Sequence, residues 1–278
     1  MNLKPCFLIA FSLCTSFHIV AQNISGTDAL IAVNSTENVS SNSTSVPEKV
    51  YERPPLNLVK LNLTGILLNN YALQYERILN HKISVAFQYR MMPKTGIPFK
   101  SIILKQVGND DPETKKLIDD FRMSNFAITP ELRIYLGKKG YGRGFYIAPF
   151  YRYASFKSSD LNVFYTDVNN VDQSIKMSGK LTSNTAGLLM GVQSDLGKHV
   201  NLDISFFGPH YGSGKGTFSG TTSSPLSSDE QYNLRRQLEN LDIPLIETTV
   251  NVNANGASLK LDGPWAGYRF AISLGLRF

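Results

Sequence analysis

Tyr268-Arg-Phe-Ala-Ile-Ser-Leu-Gly-Leu-Arg-Phe278 alternates without interruption. Tyr268, Phe270, Ile272, Leu274, Leu276 and Phe278 fall on one side of an extended chain, and Arg269, Ala271, Ser273, Gly275 and Arg277 on the other. Successive side chains of a strand point to opposite faces, so this stretch has one wholly apolar face and one small or charged face. Its length suits the about 9–11 residues that a tilted transmembrane β-strand needs. The same pattern recurs upstream. Val59, Leu61, Leu63 and Leu67 oppose Lys60, Asn62, Thr64 and Ile66; Tyr71, Leu73 and Tyr75 oppose Ala72, Gln74 and Glu76; Ile83, Val85, Phe87, Tyr89 and Met91 oppose Ser84, Ala86, Gln88 and Arg90. Comparable alternation runs through 126–136, 145–156, 185–193 and 200–206. These segments predict an all-β chain, a closed antiparallel up-and-down transmembrane β-barrel of about eight strands. A ten-stranded barrel follows instead if the 161–181 hairpin enters the bilayer.

Composition agrees with that class. No run approaches the ~20 apolar residues of a membrane helix, yet the chain carries 13 Tyr and 16 Phe. Only alternate residues of a barrel strand must be apolar, so aromatic girdles coexist with ordinary hydrophobicity; a soluble β-sandwich has the same composition. The formal charge of +6 comes from scattered Lys and Arg. Without a basic block this reads as a solvated and interior mixture of charges, and no nucleic-acid partner is expected.

Residues 1–21 read as an export signal: Lys4 supplies the positive start, Cys6 to Phe17 a short apolar core, and Ile19-Val20-Ala21 a cleavage site before Gln22. Leu13 ahead of Cys14 is too large for a lipidation box. Cys6 and Cys14 both fall in this segment, so the mature chain is expected to have no disulfide, thiolate nucleophile or cysteine metal site. Residues 22–55 are rich in Ser and Asn, with Asn34-Ser-Thr, Asn38-Val-Ser and Asn42-Ser-Thr, and read as a disordered periplasmic tail. Residues 56–278 form the barrel. Turns at Asn80, Gly140 and Gly197 are short, whereas segments 93–124, 157–174 and 209–263 are long; only the Asn69 connection breaks the alternation. Short turns face the periplasm and long loops the exterior. The loops contain a helix starting at Asp111-Pro112-Glu113 and continuing through Leu117, Ile118 and Phe121. A second helix carries Leu234, Leu238 and Leu241 and ends at Pro244, and a hairpin turns at Asn255-Gly256.

The inward set contains Lys60, Glu76, Arg90, Glu131, Arg133, Arg152, Asp203, Arg269 and Arg277. An eight-stranded barrel is just wide enough for side chains to fill it, so a solid, ion-paired interior without a wide pore is expected. Arg77 points outward beside the Asn80 turn, where it can snorkel. Pro130 and Pro149 interrupt strands that have no edge, and a bulge is predicted at each.

Val59-Lys-Leu-Asn-Leu63, Leu73-Gln-Tyr-Glu-Arg77, Thr129-Pro-Glu-Leu-Arg133 and Gly144-Phe-Tyr-Ile-Ala-Pro-Phe150 resemble a family of small bacterial outer-membrane barrels known only as a domain of unknown function. The resemblance covers roughly 57–278 and implies the barrel fold without catalytic residues. Phe278 resembles the terminal aromatic read by the barrel-assembly machinery of the outer membrane.

The functional expectation is a non-enzymatic outer-membrane protein with a structural or surface-interaction role. Its partners are outer-membrane lipid, the assembly machinery and a surface ligand met through loops 93–124, 157–174 and 209–263. No catalytic residue, cofactor or metal site is expected. Gly137 to Gly144 is glycine-rich like a phosphate loop, but no helix follows it. Two alternatives remain: a lipid-modifying hydrolase using His210 and Ser213, and a soluble secreted barrel that carries a lipophilic ligand inside.

Overall fold

The computed structural model describes residues 55–96, 115, 118–167, 171–240 and 245–278. The predicted export signal, the predicted tail up to residue 54 and the helix start at Asp111-Pro112-Glu113 lie outside the described residues, as do Leu117, Leu241 and Pro244.

Among the described residues eleven strands form one antiparallel sheet: β1 Asn57–Asn62, β2 Tyr71–Ile78, β3 Ile83–Thr95, β4 Arg122–Tyr135, β5 Gly144–Thr166, β6 Asp172–Asp195, β7 Val200–Phe207, β8 Pro209–Thr221, β9 Glu247–Asn253, β10 Gly256–Tyr268 and β11 Ala271–Arg277. Eight of them, β1 to β7 and β11, close into a ring, because β5 pairs with β6, β7 with β11 and β11 with β1. The end of the ring with the short turns is here termed its base.

The upper part grows from the same strands. β8 carries on from β7 past Gly208, pairing with the upper half of β6, while β10 precedes β11 and pairs with β8. β9 closes the edge of β10. β5 and β6 run for 23 and 24 residues and belong to both parts. The 161–181 hairpin is therefore an extension of two ring strands, and it adds none to the ring.

The two parts are built with opposite polarity on one pleat. In the ring the inner positions are polar and the outer ones apolar: Leu73, Phe87 and Leu276 are 55%, 49% and 62% exposed, whereas Lys60, Glu76 and Arg133 are buried. Above the ring the inner face becomes a hydrophobic core that includes Ile175, Met177, Phe218, Leu259 and Leu261. Lys157, Lys176, Lys215 and Lys260 stand outside it, exposed. Helix α2, Ser228–Glu239, seals that core with Leu234 and Leu238. It starts where the sequence allows a capping box, with Ser227 and Glu230 each satisfying the other's backbone N–H. The expected hairpin forms, but its turn is shifted by one residue: Ala254 and Asn255 make it, and Gly256, paired with Asn253, opens β10 at φ 148°.

Several expectations are corrected. β1 ends at Asn62, and Leu63–Ile66 form a short helix, α1, in place of a strand continuing to Leu67. The Asn62 carboxamide accepts the Gly65 N–H at 3.0 Å, and a Cβ on Gly65 would lie 2.3 Å from the Asn70 carbonyl oxygen, so the chain doubles back tightly there. The Gly- and Ser-rich start of segment 209–263 is strand, not loop. Gly214 and Gly216 occupy inner positions because Trp265, Phe218 and Leu181 fill that space. Likewise, parts of 93–124 and 157–174 belong to β3 through β6.

Neither proline forms a bulge. The β3–β4 ladder runs through Phe87↔Pro130, and β5–β6 through Pro149↔Leu188, without a register shift. The β4–β5 register is also constant from Arg122↔Ser159 to Tyr135↔Tyr146, but pairings are missing at Pro130 and at Pro149. Both prolines thus turn their donorless nitrogens toward one seam, and the other ladders stay whole. The bulges lie elsewhere. One extra residue between Ser158 and Leu161, with Asp160 at φ 63°, switches the inner face of β5 from even to odd numbers. Another, opposite Met190/Gly191, sets Phe206 and Phe207 both outward.

Leu259→Ala, in the upper core, is expected to cost about 2–5 kcal/mol. Equilibrium unfolding in urea should show that loss, with faster proteolysis of the segment joining β8 to β9.

Candidate functional site

The ring interior is organised around Lys60 and Arg133. Lys60, on β1, donates from Nζ to Glu76 of β2, to Gln193 of β6 and, at 2.7 Å, to Asp203 of β7. Its side chain is fully buried, as is that of Glu76. Arg133, on β4, reaches the same two carboxylates from the opposite wall: its Nη1 lies 2.6 Å from Asp203 Oδ2 and 3.4 Å from Glu76 Oε2. Its Nη2 donates to Gln74 at 3.0 Å and to Glu131 at 3.0 Å. Two tyrosines complete the acceptors' shells. Tyr135 donates to Glu76 Oε1 at 2.6 Å and Tyr146 to Asp203 Oδ1 at 2.8 Å, while Ser84 also donates to Glu76. The Arg133 guanidinium sits 4.5 Å over the Tyr146 ring. Buried carboxylates with this many donors are compensated by geometry as well as by charge.

Glu131 links this cluster to the level above, where Arg269 Nη2 donates to Glu131 Oε1 at 2.6 Å and to Gln88 Oε1 at 3.0 Å. Arg269 also lies 4.5 Å over the Phe150 ring. At the base, Arg277 donates to the carbonyls of Pro55, Tyr141 and Gly142 and pairs with Asp195 at 3.2 Å. Asp195 in turn receives Arg143 at 2.6 Å. Arg277 thereby closes the base of the ring against the Gly140 turn, where His81 packs edge-on to Tyr141.

Of the nine residues the sequence analysis placed inside, Lys60, Glu76, Glu131, Arg133, Asp203 and Arg269 therefore meet in one network, and Arg277 stands apart in a second. Arg152 is buried and Arg90 is half-buried. Among the described residues neither forms a side-chain ion pair. Phe278 is exposed on the outer face, its backbone bonded in both directions to Asn57. Arg77 also points outward and donates to Asn57 at 2.8 Å.

Several contributors were missed. Gln74, Gln88, Tyr135 and Tyr146 all fall on inner positions by alternation, and that parity, not charge, is their signal. Gln193 carried the same signal on β6. Asp195, the last residue of β6, lies two residues beyond Gln193 on the same inward parity.

His210 and Ser213 do not form a pair. His210 faces inward, edge-on to Phe150 at 5.9 Å between centroids, whereas Ser213 is three residues on and faces outward. An odd separation on one strand puts the two side chains on opposite faces of the sheet. Among the described residues no group of His, Cys, Asp and Glu is placed to hold a metal ion.

No protein-family model and no curated protein matches the chain.

Replacing Lys60 by Met removes one cation from among buried carboxylates and is expected to cost about 3–5 kcal/mol. Adding Glu76→Gln should recover part of the loss. A double-mutant cycle in urea reads the coupling.

Proposed function

We propose that the chain is a non-enzymatic protein of the bacterial outer membrane, in which the ring is a transmembrane barrel. Its closed ionic interior is a structural plug, and the part above the ring is a surface platform for contacts outside the cell. The observation that carries this reading is the change of polarity along single strands. β5, β6, β7–β8 and β10–β11 are greasy outside and ionic within at the base, then ionic outside and greasy within above. Only two different solvents make both halves favourable: hydrocarbon around the ring and water around the upper part. A soluble carrier of a lipophilic ligand requires an apolar ring interior instead.

The boundary also fits. Tyr151 and Tyr211 are exposed on the outer face near the top of the ring. Six residues further along β5 and β8, Lys157 pairs with Lys180, Lys180 with Thr217 and Thr217 with Lys260. Aromatics and then lysines, in that order, match a membrane interface and its anionic headgroups. On this reading the hydrolase alternative loses its dyad, because His210 and Ser213 are separated by the sheet.

The test is fractionation with the outer membrane together with a heat-dependent shift in gel mobility. A variant pair sharpens it. In phospholipid bilayers Leu274→Arg is expected to destabilise by about 2–4 kcal/mol, whereas Thr217→Arg should stay within about 0.5 kcal/mol. Leu274 is already 39% exposed, so in a water-soluble protein both changes would be nearly silent. That outcome would overturn the membrane assignment.

A further inference from the structure

The charges inside the ring do not balance. Among the described residues the interior between its base and its apolar upper core holds Lys60, Arg90, Arg133, Arg152 and Arg269, five cations, against Glu76, Glu131 and Asp203, three carboxylates. All three carboxylates are engaged by Lys60, Arg133 and Arg269. The excess of two falls on Arg90 and Arg152.

The strand pairing brings these two and Arg269 to one level. Arg90 lies opposite Ala127 on β4, and the register of β4 with β5 sets Arg152 level with Thr129, the next inner residue of β4. Arg269 bonds Gln88 and stacks on Phe150, the inner neighbours of Arg90 and Arg152 on their own strands. The three guanidiniums are close enough to repel one another. Arg152 is 5% exposed, and Arg90 Nε and Arg269 Nη1 are buried with no hydrogen-bond partner among the described residues. Level with Arg90 the neighbouring inner positions are only Ala127 and Ala154, and these are roofed by Phe156, Leu181 and Trp265.

A guanidinium does not shed its proton to escape such a site. Uncompensated cations with unused donors in a closed space are costly. We propose that the ring interior binds a small, doubly charged oxyanion of the phosphate or sulfate type between Arg90, Arg152 and Arg269. Arg90 and Arg152 offer their guanidinium forks and Arg269 its free Nη1 to the ion's oxygens, and the two negative charges cancel the excess. The apolar roof above the arginines favours a free ion over one carried on a lipid headgroup. The site depends on the interior alone and holds whatever surrounds the ring.

The test uses the full chain folded in zwitterionic detergent. Equilibrium dialysis with labelled inorganic phosphate is expected to show saturable binding near one ion per chain. Phosphate and sulfate should raise the unfolding midpoint relative to chloride at equal ionic strength. Arg152→Met is expected to lose that response and to have a higher midpoint than wild type in chloride, because one repelling cation is gone. Absence of saturable phosphate binding by the wild-type chain overturns the proposal. So does an anion response that persists in Arg152→Met. Retention by phosphate-bearing detergent micelles but not of free phosphate would show a headgroup site and overturn the assignment to a free ion.

Discussion

Putting several full charges inside a ring of eight strands is tolerable only if they compensate one another, and that constraint shapes everything else at this level. Lys60 and Arg133 enter from β1 and β4, and Glu76 and Asp203 from β2 and β7, so four strands are tied through the centre. The link is directional. Arg133 presents a planar fork to two acceptors, Lys60 fills the point between them, and two tyrosine hydroxyls occupy remaining lone pairs. A slip of one residue in any of these strands would carry its charge to the apolar outer face. The ionic cluster therefore specifies register as much as it contributes stability. The strands without a central charge are held by their neighbours.

Much of this was legible beforehand, because a period of two is the least ambiguous signal a sequence carries. The terminal stretch from Tyr268 to Phe278 sorts residues by face correctly, with Ser273, Gly275 and Arg277 buried and Leu274, Leu276 and Phe278 exposed. The illegible parts share one cause: alternation was read as a contrast of apolar with polar. In β8 the contrast is glycine with hydroxyl or lysine, and the bulk that completes the inner face comes from Trp265 and Phe218. Its strand is dictated by partners distant in sequence. The cluster of Arg90, Arg152 and Arg269 was legible only as three separate inward positions. What joins them is the arrangement of β3, β5 and the β10–β11 break, which no local pattern encodes.

The inserted residue at Asp160 shows how economically one chain builds two kinds of interior. Below it the even-numbered residues of β5 face in; above it Leu161, Val163 and Tyr165 do. The bulge allows a new inner set to be written in a new phase, at the level where ionic packing gives way to apolar packing. β6 makes the same crossing without a bulge, keeping odd numbers inside from Ile175 to Gln193. The hairpin thus twists at one strand while the other keeps its phase.

The placement of Pro130 and Pro149 has a mechanical corollary. Two donors are missing, and both are missing along the β4–β5 boundary, so the wall has one line of reduced stiffness. Beside that line stand Arg133 and Arg152, on the strands that lack the bonds. The seam left short of backbone hydrogen bonds is thus flanked by β4, which the ion pairs of Arg133 and Glu131 hold from inside the ring.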